Sequence, residues 1–380
     1  MTFIPKVAHV DHTVERGGAE LALLRLVQNA TGRWDPVIVT PRQRTGPGAF
    51  RDVRELVHQV GPAQPPGVAS SRSPLAVIDT AARVAAQGLA IRKRMMSDEW
   101  DVVHANTTRS GLYVALASPK VPVVLHLRDM LAADSIGAHS LQAYARVALP
   151  RAAAVIANSE ATMEVAEPLI PNGTARYVVP SPSGMNVPRA VGSQNVVPDP
   201  LRRIGMVARI ARWKGQDFLI RAFAGAFPRS RVELHLFGAA SFGEEGYEAE
   251  IRLLAIELGV ADRVIFHGHV DDVQASLESM DVCVQSSMRP EPLGQNVLQY
   301  LALGKVTIAA DAGGPADYVE HDVNGLLFEM GSLASLEDAL RRVESGTLRS
   351  RLARRAKNTP PLTDAEIAEM HAEIFRRVAS

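Results

Sequence analysis

The segment Glu291-Pro-Leu-Gly-Gln-Asn-Val-Leu-Gln299 brings together a carboxylate, a glycine and the start of a helix. It follows the β-branched run Val282–Ser287, and a helix is expected from about Gly294. The amides of Leu293, Gly294, Gln295 and Asn296 would then be first-turn donors without helical partners, a seat for an anion. Glu291, just before the turn, would be free to accept hydrogen bonds from hydroxyls. Gln299 lies about one helical turn beyond Gln295 and shares its face. An isolated glutamate here would serve as readily as a first-turn carboxylate facing the helix dipole; the amides beside it favour a ligand.

A second cluster is Gly205-Met-Val-Ala-Arg-Ile-Ala-Arg-Trp-Lys-Gly215. An expected strand delivers Arg209 to its carboxyl end, and Lys214 follows near the next helix. Two such cations suit a diphosphate, a planar guanidinium on one phosphate and a point charge on the other. Taken alone, they read equally well as solvated loop charges. Gly17-Gly18-Ala-Glu20 opens the first helix and allows close backbone approach. His126-Leu-Arg-Asp129 ends an apolar strand, where the histidine would point at a substrate hydroxyl or sit as a satisfied rim residue, with Arg128–Asp129 a surface pair. Gly238 and Gly268 end two further strands and would leave backbone groups open to a planar base.

Other chemistries find no pattern. There is no Gly-x-Gly-x-x-Gly fingerprint, P-loop or Gly-x-Ser-x-Gly elbow. The 11 histidines are scattered, and His267-Gly-His269 lacks a neighbouring carboxylate pair, so no metal site is expected.

The elements that must hold these groups alternate. Buried strands are expected at Lys6–His12, Pro36–Thr40, Asp101–Asn106, Val121–Asp129, Ala153–Ser159 and Arg176–Ser181, with amphipathic helices between them. Prolines crowd Pro180–Pro200, which reads as a linker, and Gly61–Pro74 reads as an exposed loop. The alternation restarts with strands at Arg203–Arg209, Arg231–Gly238, Arg263–His269, Val282–Ser287 and Val306–Asp311, and the chain closes with helices at Leu333–Val343 and Asp364–Val378. The fold class is therefore α/β, two Rossmann-like doubly wound domains, with residues 1–185 in the first, 186–360 in the second and 361–380 a closing helix. Ligands of such sheets bind beyond the carboxyl ends of the strands, so two of them facing each other would meet substrates in a cleft.

The length of 380 residues fits two domains, and a hydrophobic fraction of 47% fits globular ones. With 41 Lys+Arg against 41 Asp+Glu the formal net charge is zero, which argues against nucleic acid as a partner. Cys283 is the single cysteine, so disulfide frameworks and thiolate metal clusters are excluded. No apolar run approaches the ~20 residues of a membrane span. Residues 1–10 lack a signal-peptide pattern, and a cytoplasmic location is expected. The basic cluster Arg92-Lys-Arg94 beside Met95-Met96 allows peripheral contact with the inner membrane face, although an ordinary solvated helix end explains it as well.

Together and in this order, these motifs resemble the retaining glycosyltransferases of family 4, which have the B-type glycosyltransferase fold. The resemblance is densest from Ile204 to Phe328, through the acidic E-x7-E segment, Ala302-Leu-Gly-Lys, Gly313-Gly-Pro-Ala-Asp317 and Asn324-Gly-Leu-Leu-Phe328. It implies that Arg209 and Lys214 hold a nucleotide diphosphate. It implies that Glu291 contacts donor-sugar hydroxyls, that the amides after it hold sugar and phosphate, and that His126 contacts the sugar near the reacting centre. Gly17-Gly18 would lie near phosphates and acceptor, and the closing helix would pack back on the first domain.

The chain departs from that pattern twice. The second glutamate, which grips ribose, is Gln299, whose amide has one acceptor and one donor group where a carboxylate has only acceptors. A Gln299→Glu change is expected either to tighten donor binding or, if the pocket is adapted to an amide, to weaken it. The second departure is Ser181-Pro-Ser-Gly-Met-Asn after the last strand of the first domain. The resemblance implies a retaining transferase moving a sugar from a UDP- or GDP-linked donor to a sugar, lipid-linked or small-molecule acceptor, with no cofactor or metal. A sugar-nucleotide epimerase of the same fold and a non-catalytic sugar-nucleotide-binding protein are the alternatives.

Overall fold

The computed structural model describes residues 3–43, 48–63, 74–185, 199–240, 243–358 and 361–380. Most of the Pro-rich linker (186–198), most of the expected loop at 61–74 (64–73) and Pro360 lie outside the described residues. The chain divides into two compact units, Met1–Pro182 with Leu362–Ser380, and Ser183–Pro361.

The first unit is built on seven parallel strands: β1 (Lys6–Val10), β2 (Asp35–Thr40), β3 (Val57–Gln59), β4 (Val102–Ala105), β5 (Val123–Leu127), β6 (Ala154–Ala157) and β7 (Ala175–Val178), in the order β3-β2-β1-β4-β5-β6-β7. The central strands are buried on both faces, hence their largely apolar runs, with one histidine in each of β1, β4 and β5. Val103 and Leu125 pack into one core layer and Val102 and Val124 into the other. α1 (Gly18–Gln28) follows β1 directly.

The second unit carries β8 (Arg203–Val207), β9 (Glu233–Phe237), β10 (Val264–Gly268), β11 (Val282–Gln285), β12 (Val306–Ala310) and β13 (Leu326–Phe328), in the order β10-β9-β8-β11-β12-β13. Its helices include α2 (Gln216–Ala226) and α3 (Gln295–Ala302). The three-residue edge strands β3 and β13 were not expected, because so short a run carries no readable period.

The closing helix, α4 (Asp364–Ala379), is part of the first unit. A reciprocal Thr363–Glu366 capping box starts it. Its fully buried Phe375 meets the Trp34 ring at 5.4 Å. Burying a side chain of that size contributes about 1.5–3 kcal/mol to holding the helix in place.

Candidate active site

In the second unit the strand ends gather the expected residues. Lys214 stands before a glycine in the left-handed region (Gly215, φ 71°), where a Cβ would run into the Ser286 carbonyl. Ser286 fastens this turn, its hydroxyl donating to the carbonyls of Lys214 (3.2 Å) and Gly215 (3.0 Å). The Lys214 ammonium reaches Glu291 Oε2 at 2.9 Å and lies 4.0 Å over the Trp213 ring. Arg289 covers the same indole at 4.9 Å.

Glu291 was expected to be free for hydroxyls, and it is not. Oε1 accepts from Gln285 Nε2 at 3.0 Å and from the Ser287 hydroxyl, while Oε2 holds Lys214. Gln285 is itself fixed, accepting from the Ala310 amide on β12. Burial would raise the Glu291 carboxyl, but the charge of Lys214 and these hydrogen bonds outweigh it and hold the group below its ordinary range. Arg209 is half-buried; burial and the nearby Arg289 lower its pKa, against the pull of Glu244. Arg289 thus joins the cation cluster. Sequence reading missed it because it lies outside both motifs.

Gly294 caps α3 with φ 71°, and a Cβ there would press on Pro315 Cγ at 2.7 Å. A glycine cap offers no side-chain acceptor to the first turn. Among the described residues the amides of Leu293, Gly294 and Asn296 donate to no protein acceptor, which preserves the expected anion seat; Gln295 follows on the first turn. The Asn296 side chain is spent inward, donating to the Val207 carbonyl at 3.1 Å. Gly268 ends β10, its carbonyl accepting from Gly238 at 2.8 Å. His267 stacks on Phe237 with ring centroids 4.2 Å apart.

Gln299 is buried, and its Nε2 donates to the Ser183 carbonyl at 3.1 Å. The two departures from the family pattern therefore touch each other. A carboxylate at 299 would place an acceptor against an acceptor, so the second of the two expected outcomes is favoured. Gln299→Glu should weaken donor binding and lower stability by about 1–3 kcal/mol, the cost of an unsatisfied buried group, measured by calorimetric binding and urea denaturation. Tighter binding in the variant would contradict this geometry.

In the first unit, His126 requires a correction. It is 1% exposed and does not point out of the strand end. Strand alternation puts it on the face that α4 covers, beside Val124. Trp34 Nε1 donates to His9 Nε2 (3.0 Å), His9 Nδ1 meets His104 Nδ1 (2.9 Å), and His104 Nε2 meets His126 Nδ1 (3.2 Å). The tryptophan N–H fixes the direction of this chain, so each neutral imidazole donates to the next. His371 of α4 stacks on His126 at 5.5 Å. Burial lowers all four pKa values, that of His9 to about 3 and that of His371 to about 4.

Arg128 is corrected as well. Instead of a surface pair with Asp129, it is a buried guanidinium donating to Asn106 Oδ1 (2.9 Å) and to the Ser181 hydroxyl (2.6 Å). Asn106 in turn donates to Asp11 Oδ2 at 2.6 Å. Asp11, His12 and Glu20 place ligand atoms within 4.8 Å of one another, a trio that sequence reading did not find. His12 Nδ1 lies 3.2 Å from Asp11 and 3.1 Å from the Thr107 hydroxyl. Burial and the neighbouring Asp11 raise the Glu20 carboxyl to about 8. Gly17 caps α1 and leaves the space that the Glu20 carboxyl fills, and Gly18 begins the helix. Arg94, part of the expected basic cluster, turns inward to His58 (2.8 Å). No helix among the described residues is long and apolar enough to cross a membrane.

Comparison with known proteins matches residues 193–359 to the model of glycosyl transferases group 1, and residues 16–179 to that of glycosyltransferase family 4. The chain is 34% identical over 154 residues to the lipopolysaccharide core biosynthesis glycosyltransferase LpsE of Rhizobium meliloti, covering 40% of this chain and 43% of that protein. It is 30% identical over 185 residues to a GDP-mannose-dependent alpha-(1-6)-phosphatidylinositol monomannoside mannosyltransferase of Mycobacterium tuberculosis, covering 42% and 46%. The chain thus spans less than half the length of these two relatives. Among solved structures, Anabaena HepE in complex with UDP and glucose aligns with a TM-score of 0.79 at 26% identity, over 97% of this chain and 99% of that one.

Proposed function

The chain belongs to the group 1, family 4 glycosyltransferases and has their B-type fold of two Rossmann-like domains, and from that premise we propose that it transfers a sugar from a UDP- or GDP-linked donor to a hydroxyl of a glycan or glycolipid. The observation that carries this reading is the set of groups at the strand ends of the second unit: Arg209, Lys214 and the Leu293, Gly294 and Asn296 amides at the start of α3, with Glu291 among them. Cations and amide dipoles fixed before the reaction stabilise a departing nucleotide diphosphate without reorganising. UDP in the HepE complex and the GDP-mannose dependence of the mycobacterial relative support a nucleotide-linked donor; the lipopolysaccharide core and phosphatidylinositol mannoside of the relatives support a glycan or glycolipid acceptor.

We place the chemistry at the anomeric carbon, with retention. Glu291 is filled by Gln285, Ser287 and Lys214 and is not poised as a nucleophile. That fits a same-face substitution: the acceptor oxygen bonds to the anomeric carbon as the bond to phosphate breaks, and the leaving phosphate takes the acceptor proton. The test is incubation with UDP- and GDP-linked hexoses, with and without core oligosaccharide or phosphatidylinositol mannoside, following nucleotide diphosphate release and the anomeric proton by NMR. Release that needs an acceptor, a product with the donor's anomeric configuration and activity in EDTA are expected. Sugar conversion without acceptor would make the protein an epimerase, and binding without either would make it a carrier.

A further inference from the structure

Lys214 and Glu291 have been assigned to different parts of the donor, yet they hold each other. The ammonium is 2.9 Å from Oε2, and both side chains are largely buried, 15% and 6% exposed. Glu291 has no slack: Gln285 ties it to β12 and Ser287 ties it to its own turn. Lys214 has little, being clamped between that carboxylate and the Trp213 ring, with its backbone fixed by Ser286. A cation meant for phosphate is thus neutralised by a neighbour that cannot move away.

We propose that Glu291 is a positioning residue for Lys214, and that the ion pair is a resting state which a nucleoside diphosphate opens by taking Lys214 as its own counter-ion. The exchange frees Oε2 to accept a donor hydroxyl, so the phosphates unlock the carboxylate for the sugar. This rests on the phosphate seat proposed above. The carboxylate therefore opposes binding of the diphosphate alone, by like charge at short range in a poorly solvated site, and contributes only once a sugar is attached.

The experiment is calorimetric titration with UDP and GDP, without sugar, of the natural protein and three variants at low ionic strength. Glu291→Gln keeps the shape and removes the opposing charge. It should bind the preferred nucleotide at least about fivefold more tightly, since one unit charge ~4 Å away is worth about 1 kcal/mol even at the dielectric of water. Ser287→Ala removes a donor from Oε1, leaves Glu291 a stronger partner for Lys214 and should weaken the same binding. Unchanged or weaker binding in Glu291→Gln overturns the proposal, as does unchanged binding in Ser287→Ala should Glu291→Gln fail to fold. Lys214→Ala separates the two levels. Normal binding there removes the phosphate seat itself, whereas loss there with no change in Glu291→Gln removes only the opposing role of Glu291.

Discussion

Lowering the pH from 7.5 to 5.5 is expected to cost the protein a few kcal/mol of stability, on the order of 1.4 kcal/mol per pH unit for each proton the unfolded chain takes up first. The cause is the set of buried neutral histidines, His9, His104, His126 and His371. Their folded pKa values lie below the ordinary 6.5, so the unfolded chain takes up protons first. The histidine contribution is full above about pH 7 and falls as the pH drops through 6.5 toward the folded values. Each histidine loses about 1.4 kcal/mol per pH unit in that window. Glu20 works in the opposite direction, since its folded value of about 8 lets the folded state bind a proton that the unfolded state releases down to about 4.5. Four histidines against one carboxyl leave a net loss. For a protein with roughly 5–15 kcal/mol in total, that is a large share of its stability. Urea midpoints between pH 8 and 4.5 measure it, and His371→Leu should reduce the pH slope by about one proton. A midpoint that does not move with pH would mean these imidazoles are not buried and neutral.

The second large effect is expected from Lys214→Ala. Losing a charged donor to phosphate costs roughly 1.5–3 kcal/mol of nucleotide diphosphate binding, or about 10- to 150-fold in affinity. The same change strands the Glu291 carboxylate, which sits at 6% exposure with its ion-pair partner gone. Breaking a buried pair from one side typically costs about 3–5 kcal/mol of stability. The variant should therefore melt early as well as bind poorly. Adding Glu291→Gln should restore most of the stability, and of the binding only the share gained by removing the opposing charge. That split in a double-mutant cycle is the signature of a buried pair in which one member touches ligand. Equal recovery of both would place Lys214 in a purely structural role.

The sequence made the doubly wound units legible because buried parallel strands are long β-branched runs. The clustering of Arg209, Lys214, Glu291 and α3 followed from their common position after strands. What stayed hidden was pairing across distance. Arg128 looks like a rim residue because its partners, Asn106 and Ser181, are 22 and 53 positions away. Glu291 looks free because nothing local says that its oxygens are filled by Gln285, Ser287 and Lys214. The histidine chain did leave a trace. Val-Ala-His9-Val, Val-Val-His104-Ala and Val-Leu-His126-Leu each carry a histidine one place before the end of an apolar strand. The order β1-β4-β5 sets His9 beside His104, with His126 two residues beyond the partner of His104 and on the same face of β5. A polar residue repeated on one face of adjacent central strands is a chain across the core, and His126 read alone could not show it.

The most direct test of the donor site is a crystal structure of the protein soaked with UDP or GDP. The diphosphate oxygens are expected within hydrogen-bond distance of Arg209 and Lys214 and over the amides at the start of α3, with Lys214 drawn away from Glu291. A nucleotide bound elsewhere in the chain, with the Lys214–Glu291 pair untouched, would contradict it.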